Sequence, residues 1–132
     1  MPIRLFFTYW VPVILYAGTI TMVSGMSTPH TYFPLWAGEI NDKVLHALEY
    51  AILAILCYRA LRHASGPGLA DYAAVLAIVG AILFGVSDEL HQYFVPLRES
   101  DPWDLVANGA GSLMGVTGWQ IISPRLRLFQ TP

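Results

Sequence analysis

The chain has 132 residues, 55% hydrophobic and 12% charged, with a mean hydropathy of +0.52, well to the apolar side of a water-soluble domain. A formal net charge of -2, a pI near 6.0 and the lack of a basic run give no footing for nucleic acid. A single cysteine, Cys57 in an apolar run, excludes an internal disulfide and a multi-cysteine metal site and reads as packing.

The first apolar stretch runs from Leu5 to Val23 behind Arg4. It is readable as a signal peptide or as a retained anchor. Its length is nearer a full span than an apolar core of about 7–15 residues, and Phe6, Phe7, Tyr9 and Trp10 resemble an interfacial belt, which favours the anchor. Pro12 predicts a mild kink, tolerable where neighbours satisfy the freed carbonyl. From Ser24 to Asn41 the chain turns Ser-, Thr-, Pro- and Gly-rich, and Phe33, Leu35 and Trp36 suggest a segment at the bilayer surface.

A second apolar run, 44–62, ends in Arg59, Arg62 and His63 before a Ser-Gly-Pro-Gly turn. The third covers 71–94 and closes at Pro96. Asp101-Pro102 reads as an N-cap and a proline at the first helical position, opening a fourth helix over 103–122. Four spans of about 20 residues fill most of the chain. The expected fold is therefore all-α: one domain, 1–132, forming an integral bundle of four transmembrane helices in a lipid bilayer.

Lys and Arg collect on the cytoplasmic side of membrane proteins. Arg4, Arg59, Arg62, Arg125 and Arg127 fall on one side of a four-span arrangement, and only Lys43 and Arg98 on the other. Both termini are thus expected in the cytoplasm of a multi-pass plasma- or inner-membrane protein. The clustered polar residues then share the extracytoplasmic side. Helical phase at about 100° per residue sets Asp42, His46 and Glu49 in one sector, with Lys43 and Tyr50 at its edge. Asp88, Glu89 and Gln92 share a face of the third helix, with His91 pointing elsewhere. Asp104, Asn108, Gly111, Gly115 and Gly118 form one stripe of the fourth. Turning these faces inward spares about 2.5–3.5 kcal/mol for each ionisable group otherwise facing lipid at mid-helix. Gly111 and Gly115 have the small-xxx-small spacing of a helix-packing face.

Two motifs stand out: D-K-x-x-H-x-x-x-Y at Asp42, Lys43, His46 and Tyr50, and a longer run of Glu89, Gln92, Arg98, Asp101, Asp104, Asn108, Gly111 and Gly115. Together, from Asp42 to about Gly118, they resemble the VanZ-like family. The resemblance implies a small multi-helix integral membrane protein, related to an accessory factor in teicoplanin resistance. Glu49, Asp88 and His91 lie outside the family pattern.

Structural roles compete at several of these positions. Asp42 and Asp101 also suit helix capping, Asp104 a capping-box-like role, and Lys43 snorkelling to the interface. Arg98 suits a wet loop and Tyr50 a packing role. His46, Glu89 and Asn108 sit at least a turn inside apolar helices, where unpartnered polar groups are expensive.

Three functions fit. The first is recognition of an envelope lipid or glycopeptide-related ligand by Asp42, Lys43, His46, Tyr50, Glu89, Gln92, Arg98, Asp101, Asp104 and Asn108. The second is acid/base catalysis on such a lipid, with His46, Glu89 and Asp104 as catalytic residues and Lys43 and Arg98 stabilising negative charge. The third is a scaffold whose polar layers fix helix register. A metal would draw on His46, Glu49, Glu89 and Asp104, but H-x-x-E without a second inward histidine is a weak signal. No metal and no cofactor is expected.

Overall fold

The computed structural model describes residues 1–27, 41–98 and 100–128, with the side chains of 125–128 left aside. Every regular element among these residues is helical. Helix α1 is a rod over Ile3–Ser24, α2 spans Asp42–Ala64, α3 is the short Pro67–Asp71, α4 spans Ala73–Tyr93 and α5 spans Pro102–Leu128. Of the interfacial segment expected over 24–41, Ser24 still belongs to α1, and 28–40 lie outside the described residues.

Local chemistry sets each boundary. Pro12 lacks an N–H and its ring crowds the carbonyl four residues back. The turn ahead of it, Phe6–Trp10, is accordingly π-helical, with the Val11 N–H reaching Phe6 O. The expected kink therefore takes the form of a widened turn. At the start of α2 the cap is Asn41, whose Oδ1 accepts from the Lys43 N–H at 2.9 Å. Asp42 occupies the first turn, where a carboxylate favours the helix dipole. Asp101 caps α5 as its Asp-Pro spacing predicts, accepting from the Trp103 N–H at 3.0 Å. Helix α3 begins inside the expected Ser-Gly-Pro-Gly turn and ends at Asp71, the third apolar run forms α4 beyond Tyr72, and α5 continues through Pro124 to Leu128, past the expected end at 122.

Helix α2 is the centre of the bundle, packed against α5 and α4, with α1 on the periphery. Alanine dominates the core, beside Ile20, Tyr50, Leu53 and Val116. Ala73, Ala77, Ala81 and Gly85 repeat every four residues along the buried face of α4, and Ala77 and Ala81 pack with Tyr50, Leu53 and Ala54 of α2 and Val116 of α5. Large apolar residues point outward instead, among them Ile14, Leu15, Val79, Leu83 and Leu113. Surfaces of this size and apolarity mark contact with lipid or another apolar partner.

Helices Ile3–Ser24, Asp42–Ala64 and Ala73–Tyr93 are long and apolar enough to cross a membrane. Pro102–Leu128 has ample length but does not join them, because Asp104, Asn108, Gln120 and its glycines dilute its apolarity. Among the described residues three of the four expected spans are thus clear by length and composition, and the fourth is not. At the end of the bundle opposite the acidic cluster, Arg59 lies over the rings of Tyr9 and Trp119, 5.8 and 5.5 Å from their centroids. His63 stacks on Tyr9 at 5.3 Å.

Candidate functional site

The end of α1, the start of α2, the end of α4 and the start of α5 meet at one end of the bundle, each bringing polar residues. Lys43 bridges α2 to α5: its Nζ donates to Asp101 Oδ2 at 2.6 Å and to Asp104 Oδ1. Asp104 is buried, so the ammonium offsets a charge that water scarcely reaches. The same ammonium, with the Trp103 N–H, holds the Asp101 carboxyl below the usual carboxylate range.

His46 lies beside this bridge, buried, with Nδ1 3.1 Å from Asn108 Oδ1. With Asn108 Oδ1 accepting, Nδ1 carries a proton and Nε2 turns toward two carboxylates. It stands 3.7 Å from Asp104 Oδ2 and 3.9 Å from Asp42 Oδ2, beyond hydrogen-bond length. The donor atoms of Asp42, His46 and Asp104 all lie within 4.8 Å of one another, a spacing that a metal ion could bridge. This trio differs from the set that H-x-x-E brought to notice, taking Asp42 in place of Glu49 and Glu89.

Deeper in, Ser24 Oγ donates to Asp88 Oδ2 at 2.8 Å, and Gln92 Nε2 donates to the same oxygen at 3.1 Å. Gln92 also reaches Ser24 Oγ at 3.2 Å. This triad holds the end of α1 to α4. Ser100 Oγ donates to Glu89 Oε2 at 2.9 Å, and Ser112 Oγ to Asn108 O at 2.8 Å. Ser24, Ser100 and Ser112 carry no sequence signal of their own, and only Asp88, by sharing the face of Glu89, hints at its place. Replacing Asp88 with Ala is expected to release the end of α1. Hydrogen bonds to a charged group are worth about 1.5–3 kcal/mol, so amide protection over Thr19–Gly25 should fall at least tenfold by hydrogen exchange. Unchanged protection would show that Ile20 packing alone holds α1.

The network is not closed. Among the described residues, Glu89 Oε1, Arg98 Nε, Asn108 Nδ2 and Tyr50 Oη are buried without a hydrogen-bond partner. Tyr50 Oη is near Asp88 but outside hydrogen-bond geometry. Gly85 makes room here: a Cβ at that position would stand 3.1 Å from both Asn108 Nδ2 and Tyr50 Cε1. His91 is exposed, with its ring toward Gly25.

Of the residues singled out from the sequence, Lys43, Asp101 and Asp104 are joined in one bridge, and His46, Asn108 and Asp42 flank it. Glu89 is in electrostatic contact with Asp104 and His46, while Gln92 faces Asp88. Gly111 and Gly115 lie where α5 passes closest to α2, against Ala47 and Ala51; a Cβ on Gly118 would meet nothing within 4 Å.

An all-helical bundle with three membrane-length apolar helices and a polar network at one end defines a helical membrane protein. A family model described as VanZ/LLP1 matches residues 3–123, and the chain belongs to the VanZ-like family. The match takes in α1, which the motifs alone did not reach. No curated protein and no solved structure matches the chain.

Proposed function

We propose that the polar end of the bundle is an extracytoplasmic site that recognises the polar head group of a cell-envelope lipid or a glycopeptide-related ligand, and through it affects glycopeptide susceptibility. The observation that carries this reading is the open network: buried Asn108 Nδ2 and Arg98 Nε are donors, and Glu89 Oε1 is an acceptor, with no partner among the described residues. A purely structural network would gain by closing, because each stranded buried group costs about 1–3 kcal/mol. Groups left open in this way suit a bound polar molecule that completes them. In this reading α5 is the fourth span, and both termini are cytoplasmic.

The test has three arms. Lipid extracted with the purified protein and identified by native mass spectrometry is expected at one molecule per chain. His46→Gln and Asp104→Asn should abolish its retention and the susceptibility phenotype while folded protein stays abundant. A cysteine placed beside Arg98 should label from outside intact cells. Loss of folded protein in every such variant would favour the scaffold, and labelling only after permeabilisation would overturn the orientation.

A second reading rests on His46, whose Nδ1 is held by Asn108 while Nε2 faces carboxylates, an arrangement that suits a general acid or base. It requires turnover of labelled envelope lipid; a stoichiometric complex with unchanged lipid would sink it.

A further inference from the structure

We infer that Asp42, His46 and Asp104 form a binding site for a divalent transition-metal cation of the zinc type, independent of head-group recognition. Asp42 and His46 are four residues apart on α2 and so share a face. Asp104 enters from α5. His46 Nε2 stands 3.7 and 3.9 Å from the two carboxylate oxygens. Ligands about 2.1 Å from a tetrahedral zinc lie about 3.4 Å apart, so His46 is within a few tenths of an ångström of that spacing from each carboxylate, and the three ligand atoms all lie within 4.8 Å of one another. Those separations are too long for hydrogen bonds, and Nε2 is the His46 ring nitrogen turned toward both carboxylates.

The surroundings supply what metal ligands ordinarily need. Asn108 Oδ1 accepts from His46 Nδ1, which fixes the ring and leaves Nε2 as the donor to a metal. Lys43 occupies Asp104 Oδ1 and leaves Oδ2 turned toward His46. Asp42 is 64% exposed, giving an entry path from solvent, while His46 and Asp104 are buried.

The charge balance points the same way. Among the described residues, Asp42, Glu49, Asp88, Glu89, Asp101 and Asp104 gather at this end with the cations Lys43 and Arg98. Lys43 answers only Asp101 and part of Asp104. Glu89, buried with Oε1 unpartnered, is in electrostatic contact with both His46 and Asp104. A partly buried cluster richer in carboxyl groups than in cations takes a cation in preference to a phosphate. One imidazole with two carboxylates suits zinc, cobalt or manganese better than calcium, which takes six to eight oxygens. Three protein ligands leave a fourth position open for water.

The full chain in detergent micelles, stripped with EDTA and titrated with Co²⁺, is expected to show the visible d–d bands of a four-coordinate ion at one per chain. Zn²⁺ should displace the Co²⁺ and raise the melting temperature. Asp42→Asn, at an exposed position that does not threaten the fold, and His46→Gln should each weaken Co²⁺ binding at least tenfold. A wild-type protein with neither bands nor a zinc-dependent melting shift would overturn the site. So would folded variants that bind Co²⁺ as the wild type does. Lipid retention measured in EDTA reports on head-group recognition alone, so the two proposals fail separately.

Discussion

Gly111→Ala is expected to cost about 3 kcal/mol or more of stability, among the largest effects of any single methyl group in this chain. A Cβ at position 111 would fall on the carbonyl of Ala47, 2.6 Å from its carbon and 2.7 Å from the Cα. Those are backbone atoms in the second turn of α2, so no rotamer change can yield; the two helices must separate. Separation unpacks Tyr50, Leu53 and Val116 and pulls Asp104 away from Lys43. Gly115→Ala presses on Ala51 in the same way, 2.7 Å from its oxygen and 2.8 Å from its Cα. Gly118→Ala and Gly80→Ala meet nothing within 4 Å and should be neutral or mildly stabilising, since alanine is the better helix former by about 1 kcal/mol. Melting curves in one detergent separate the two classes. Equal melting temperatures for Gly111→Ala and Gly118→Ala would refute the close crossing of α2 and α5.

This contrast also shows where sequence reading stops. Phase alone places Gly111, Gly115 and Gly118 on one stripe, of which Gly111 and Gly115 lie against α2. What phase cannot supply is how far two helices stay together, and α2 has left the stripe by Gly118. The apolar runs were legible because each is long and bounded by Pro, Gly or charge. The start of α2 was less so: Asn41 and Asp42 are both good N-terminal residues, and only backbone geometry assigns the cap to Asn41. The fourth span was read from length and flanking signals, whereas the polar groups that make α5 interesting are those that weaken its claim to cross lipid unaided. Ser24 and Ser100 were invisible for a different reason. A serine near the end of an apolar run looks like loop chemistry, and its partners, Asp88 and Glu89, are distant in sequence. The proximity of Asp42, His46 and Asp104 is hidden in the same way, because H-x-x-E draws attention to Glu49 while Asp104 comes from a helix distant in sequence.

Lys43→Met should destabilise the protein by about 2–3 kcal/mol, less than the 3–5 kcal/mol for stranding a charge in a fully buried pair. The lower figure follows from exposure: the Lys43 side chain is 37% accessible, so water takes over part of its work. Asp104 decides the sign. Its side chain is only 4% accessible, and without the ammonium its carboxylate is left with His46 beside Asp42 and Glu89. Adding Asp104→Asn removes the stranded charge, so the double variant should recover at least about 1 kcal/mol over Lys43→Met alone, the coupling expected of residues in direct contact. Acid should mimic the loss only slowly. Asp101 is held below its ordinary range in the folded protein; its contribution is complete above the unfolded-state pKa and disappears only as pH falls through the lowered folded value. Wild type should therefore keep the Lys43 bridge through mild acidification, and Lys43→Met should lose part of this acid dependence. Melting temperatures for the four proteins of the cycle, measured at neutral and mildly acidic pH, decide it. Additive losses in the double variant would mean that Lys43 holds α5 by packing of its aliphatic stem, and the ionic bridge between α2 and α5 would have to be abandoned as the organiser of this site.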